Sequence, residues 1–270
     1  MFPATVLIRL IRRGFTLMEL LICVAIISLL SVGAAALYQS MRMRAGAVVS
    51  TKNLKSLVHA NLCYALDNGG AFCPAQDRRN LKRWHGGRKG KSDPFDPALG
   101  FLSPYFGKDE AAGRCPLMKK VLTGKDSFES NAGGYGYNAA YIGGQPGDPW
   151  KTARLTDIEY PGRVIMFATT GLSRKKGMQE YPYTEPFFWP LGDGGNGGPL
   201  QPSTQFRAGG KAIVGWCDGT VTMEGHGNFT GPNFYGGNNE RDQCGWFGPQ
   251  EANGYWNPGS PAALGVQSSR

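Results

Sequence analysis

Arg12-Arg13-Gly14-Phe15-Thr16-Leu17-Met18-Glu19-Leu20-Leu21-Ile22-Cys23-Val24-Ala25-Ile26-Ile27-Ser28-Leu29-Leu30 is the stretch that decides how this chain is organised. From Phe15 to Tyr38 its only formal charge is Glu19. About 20 apolar residues at 1.5 Å rise cross a hydrocarbon layer of about 30 Å, so residues 15–38 read as a transmembrane helix. A buried core helix is a rival reading, but such helices carry a polar face and this one has none. A secretory signal peptide is the closer rival, with Val32-Gly33-Ala34-Ala35-Ala36 able to imitate its cleavage site. Arg9, Arg12 and Arg13 precede the apolar run, which by the positive-inside rule places the N-terminus in the cytoplasm and everything after about residue 40 outside.

Glu19 is the residue that asks for a function. An ionised carboxylate inside an apolar span is costly unless it is paired. Cleavage after Gly14 would make Phe15 the new N-terminus, and its free amino group would be a cation that a neighbouring subunit's Glu19 could meet. A lone subunit could instead hold Glu19 protonated.

On these residues the chain resembles the type IV pilins and type II secretion pseudopilins. In that family a prepilin peptidase cuts after the glycine and methylates the new N-terminal phenylalanine. The resemblance implies a leader over residues 1–14 and processing at Gly14 and Phe15, with Glu19 setting register during assembly. It also implies other pilin or pseudopilin subunits and an inner-membrane assembly platform as partners. The expected product is a structural filament subunit, single-pass in the inner membrane, with its head periplasmic or extracellular.

Beyond the membrane segment the pattern stays helical. Val48, Leu54, Leu57, Val58, Ala60, Leu62 and Leu66 suggest an apolar stripe, with Lys52, Lys55 and Asn61 off it. No proline occurs between Pro3 and Pro74, and Asp67-Asn68-Gly69-Gly70 is a stop signal. One helix is therefore expected from about residue 16 to 66, about 75 Å long, with residues 39–66 as an amphipathic half and residues 67–270 as the head. Lys211–Cys217, Asp218-Gly219 and Thr220–Met223 read as a hairpin on a two-residue turn, and Arg163–Ala168 as another strand. Few strands among many Gly/Pro loops predict an α+β head, with a small antiparallel sheet packed on the helix. Asp193–Pro202 and the tail after Phe229 read as long loops.

A second resemblance runs along this region. Asn53-Leu54-Lys55, Tyr64–Gly69, Phe72-Cys73-Pro74, Arg114-Cys115-Pro116, Tyr135–Asn138 and Arg207–Val221 are similar to the pseudopilin-like proteins of planctomycete and verrucomicrobial bacteria. Those proteins usually carry a histidine, nine residues, then Asp-Gly. Here the histidine position is Ala208, so the hairpin keeps only an architectural role.

The remaining constellations are sparser. Five cysteines lie beyond the membrane segment; Cys63 with Cys73, and Cys217 with Cys244, are candidate disulfides, and the odd count leaves at least one thiol over. Arg78, Arg79, Lys82, Arg83, Arg88, Lys89 and Lys91 put seven positive charges into fourteen residues around Trp84. They read either as a solvated loop or as a contact for DNA or acidic polysaccharide, with stacking on Trp84. The latter would make the chain a surface-displayed binding protein. Tyr181, Tyr183, Phe187, Phe188 and Trp189 read as core or subunit interface, or as a sugar-stacking surface. The loop around Asp193 could take calcium but lacks the carboxylate density of a strong site. No cofactor is otherwise expected. No nucleophile elbow, P-loop or zinc signature occurs, and a catalytic head is not expected.

Overall fold

A computed structural model describes residues 15–106, 113–122, 131–227 and 231–266 of the chain. Its first element, α1, spans Leu17–Asp67 without interruption. The chain divides into two units at Arg42/Met43. Within the first, every large apolar residue from Leu17 to Tyr38 is exposed, and the most apolar window of the helix has a mean hydropathy of 2.7 with none of it buried. A soluble core helix would cover that surface, so the core-helix reading fails. The segment has the length and composition of a single membrane span.

In the second unit the helix does the work of a core element. Ser50, Asn53, Leu54, Leu57, Val58, Asn61 and Ala65 are buried along it, the i, i+3, i+4 spacing of one helical face. This corrects the expected stripe at three positions. Val48 and Leu66 point outward at about 70% exposure, whereas Asn61 is fully buried. Geometry explains it: at 3.6 residues per turn Asn61 falls about 20° from Leu54, and Val48 and Leu66 about 120° away. Asn61 is tolerated inside because all its groups are used. Its amide donates to the Tyr137 hydroxyl at 3.0 Å, its carbonyl accepts from the Cys73 N–H at 2.9 Å, and Tyr137 donates on to the Cys73 carbonyl. The helix stops where Gly69 and Gly70 take positive φ and the Gly70 N–H closes on the Ala65 carbonyl at 2.7 Å.

Short strands follow. A ribbon of β1 (Lys82–Arg83) and β2 (Gly86–Gly87) precedes β3 (Tyr135–Tyr137) and β4 (Ile165–Thr169). Next come β5 (Leu172–Arg174), β6 (Gly177–Gln179), β7 (Phe188–Pro190), β8 (Asn196–Pro199) and β9 (Thr204–Gln205). Then β10 (Lys211–Trp216), β11 (Val221–Gly225), β12 (Cys244–Gly245) and a short α2 (Pro261–Leu264) complete the order. The largest sheet is antiparallel, in the order β11-β10-β4-β3. Two hydrophobic clusters pack around it. One joins Leu54, Leu57 and Val58 of α1 to Met166, Phe167 and Ile213; the other joins Val214 and Trp216 to Phe206, Trp246, Phe247 and Trp256. Gly215 lies where strand meets helix, and a Cβ there would run into Val58. The architecture is the expected α+β arrangement, a long apolar helix followed by a head of small antiparallel sheets.

Two local expectations change. The β10–β11 connection has three residues, Cys217-Asp218-Gly219: Trp216 and Thr220 still pair, and Gly219 supplies the left-handed residue at φ 93°. The stretch from Asp193 is not a plain loop, since β7 and β8 pair across it, Phe188 opposite Pro199 and Pro190 opposite Asn196.

Candidate functional site

At the start of α1, Thr16 is the N-cap, its carbonyl accepting from the Leu20 N–H at 3.1 Å. The Thr16 hydroxyl accepts from the Glu19 N–H at 3.2 Å, and a Glu19 carboxylate oxygen accepts from the Thr16 N–H and hydroxyl, both at 2.9 Å. This is a reciprocal capping box. The Thr16-x-x-Glu19 pattern ahead of an apolar run announces it, yet reading Glu19 only for its charge passes over it. Phe15 stands 73% exposed beside the box. Gly14 lies outside the described residues. Within the first unit the chemistry is thus concentrated at one helix start: a carboxylate held beside the position of a prospective new N-terminus, at the head of an uncovered apolar cylinder.

The basic segment differs from its reading as an open polyanion surface. Trp84 is 1% exposed; its ring meets Phe167 edge-on with centroids 5.3 Å apart, and its indole N–H donates to the Pro182 carbonyl at 2.9 Å. It belongs to the core and cannot stack on a base or sugar. Arg83 and Arg88 are buried as well. Their guanidinium carbons lie 4.7 and 4.3 Å from the centre of the Phe95 ring, and they donate to the Asn80 side-chain and main-chain carbonyls. These two cations bind the loop together from inside, through ring faces and carbonyls. Arg78, Arg79, Lys82, Lys89 and Lys91 remain exposed, with Lys82 above the Phe101 ring at 4.7 Å.

His85 is buried in the same loop, its ring edge-on to both Trp84 and Phe95 at 5.0 Å. Burial, reinforced by the Arg83 charge, pulls its pKa from 6.5 down to about 3. A base so depressed is neutral in the fold while the unfolded chain still takes up a proton. Stability is therefore full above pH 6.5 and falls as pH drops from there towards about 3. The loss at pH 5 is ~2 kcal/mol. Urea unfolding of the detergent-solubilised chain, followed by tryptophan fluorescence, should show this decline between pH 7 and 5. His85→Phe should flatten it.

All six cysteines are free thiols, so neither expected pair, Cys63–Cys73 nor Cys217–Cys244, is bonded. Cys63 is exposed on α1, whereas Cys73 is buried and its thiol donates to the Pro74 carbonyl at 3.2 Å. Cys217 belongs to the helix-side cluster, while Cys244 lies in the β9–β12 ribbon beside the Gly171 carbonyl. Burial raises the pKa of Cys73 and Cys217 and pushes Cys244 up to about 12, so these three are packing residues rather than nucleophiles. Asp193 spends its carboxylate on the turn, accepting from the Gly195 N–H at 2.9 Å. At the β10–β11 hairpin, Asp218 accepts from the Thr220 N–H and hydroxyl. Ala208 is buried, its N–H donating to the Lys211 carbonyl. These contacts fit an architectural hairpin.

One cleft of about 530 Å³ opens on the head, between the Tyr181–Glu185 segment and the β7–β8 hairpin. Sequence reading placed its aromatics but not Gln76 and Gln145, which come from separate loops.

Residues 9–35 match the model of the prokaryotic N-terminal methylation motif. The chain thus carries a prepilin-type signal of the type IV pilin and pseudopilin kind, which makes it a prepilin peptidase substrate. No curated protein and no solved structure matches the chain.

Proposed function

We propose that this protein is a structural subunit of an envelope filament, either a type IV pilus-like fibre or a type II secretion pseudopilus. Prepilin peptidase removes residues 1–14 on the cytoplasmic side and methylates Phe15. The helix over residues 15–38 then anchors the subunit in the inner membrane, with the head outside, until an assembly platform draws it into a bundle of like helices. The single observation that supports this reading is the methylation motif over residues 9–35, set on a helix whose most apolar window is uncovered in the lone chain. Such a surface has two homes, lipid and a bundle of similar helices, and a subunit that passes from one to the other uses both. The head serves as a packing and display module without catalysis.

N-terminal mass spectrometry of the membrane-extracted chain tests the reading directly. The expected product begins at N-methylated Phe15. An intact Met1 in a host with active prepilin peptidase, or a cut after Ala36, overturns it.

A further inference from the structure

The cleft on the head has a composition that the filament role does not use. Tyr181 and Tyr183 stand perpendicular, ring centroids 5.7 Å apart, and Trp189 on β7 leaves 57% of its surface to solvent. Proline, alanine and glycine build most of the remaining wall. Gly147 and Gly192 close one end, so near that a Cβ on Gly147 would lie 2.9 Å from the Gly192 Cα. The floor is rigid, because the segment carrying the tyrosines pairs with β3: the Tyr137 N–H donates to the Pro182 carbonyl and the Thr184 N–H to the Tyr137 carbonyl. A preformed, mostly apolar cleft with a few fixed polar groups is the usual form of a small-ligand site.

Charge narrows the ligand. No lysine, arginine or histidine lines the cleft among the described residues, and Glu185 is its one carboxylate. Arg83 lies 5.4 Å from the centre of the Tyr183 ring but is itself buried, so an acidic polymer would find no exposed cation there. The phenols are already committed, Tyr181 donating to Glu185 at 2.6 Å and Tyr183 to Gln76 at 2.9 Å. What they leave is a fringe of carboxylate and amide groups that suits a ligand able both to donate and to accept. A polyproline helix offers carbonyls but no N–H donors, so the Glu185 carboxylate would gain no bond beyond the one Tyr181 already donates. A methylated ammonium needs a narrow aromatic cage, and this cleft is far wider. Sugar hydroxyls donate and accept alike, and the C–H faces of pyranose rings lie flat on aromatic rings.

We propose that this cleft binds a short neutral oligosaccharide, with Trp189, Tyr181 and Tyr183 as stacking faces and Glu185, Gln76 and Gln145 meeting its hydroxyls. The inference goes beyond the filament role and stands or falls separately from Phe15 processing. Calorimetric titration of the full chain, in a detergent without a sugar headgroup, uses cellohexaose, chitohexaose and maltohexaose as probes. Oligogalacturonate and an octaproline peptide are the competitors of other chemistry. At least one neutral hexasaccharide should bind, and Trp189→Ala should weaken it about tenfold, the loss of one ring stack. Circular dichroism checks that this exposed substitution leaves the fold intact; Gln145→Ala, on a separate loop, should weaken binding severalfold without touching a ring. Failure of all three sugars at millimolar concentration overturns the proposal. So does binding unchanged in both variants, or preferential binding of oligogalacturonate or octaproline.

Discussion

Glu19→Ala should leave the chain cut after Gly14 and methylated at Phe15, yet abolish its recovery in sedimentable or cross-linkable filaments. The reason lies in the two tasks this carboxylate can perform. In the single chain it closes a capping box with Thr16, which requires an acceptor but no charge. In a bundle of cleaved subunits it would face the amino group of a neighbour's Phe15, which requires the charge. Glu19→Gln separates the two, because glutamine also serves as the third residue of a capping box. Should assembly depend on the ion pair, Glu19→Gln fails as completely as Glu19→Ala. Thr16→Ala, which removes only the hydroxyl side of the box, should then still assemble. Filaments of normal yield from Glu19→Gln would reduce Glu19 to a helix cap and remove the register argument. The helix start is the right place for either task, since the macrodipole favours a carboxylate there.

How much of this was legible in the sequence follows from the kind of physics involved. The long helix was readable because it depends on local pattern alone: an uninterrupted apolar run, no proline between Pro3 and Pro74, and Asp67-Asn68-Gly69-Gly70 at its end. The strands β4 and β10 were readable for the same reason. Asn61 was not. Its burial depends on finding Tyr137 and the Cys73 backbone in space, and a polar side chain is assigned outward until those partners are known. The loop over residues 78–91 inverted for a related reason. A dense basic run suggests water, but arginine can lie on a ring face and give its protons to carbonyls, as Arg83 and Arg88 do around Phe95 and Asn80. The cleft was half legible. Its aromatics cluster in sequence, whereas the amides opposite them arrive from separate loops.

Trp84→Ala carries the second large effect, and it decides what the basic loop is for. Removing a fully buried tryptophan typically costs about 3–5 kcal/mol, against a total stability of about 5–15 kcal/mol for a domain. Trp84 touches Phe167, His85 and Tyr137, so the void would open between the loop and the four-stranded sheet. The Pro182 carbonyl that loses the indole donor keeps the Tyr137 N–H. The damage should therefore come from lost packing rather than from an orphaned acceptor. Urea unfolding of the solubilised chain is expected to show the midpoint collapsing for Trp84→Ala and falling less for Trp84→Phe. Arg79→Ala, on the exposed side of the same loop, should stay within about 0.5 kcal/mol of the parent. A polyanion site stacking on Trp84 requires the opposite pattern: a stable Trp84→Ala chain that has lost its affinity for DNA or acidic polysaccharide. Such a result would mean that the indole is not the wedge between loop and sheet. With the wedge intact, the loop's remaining exposed cations form a solvated rim on a packed core.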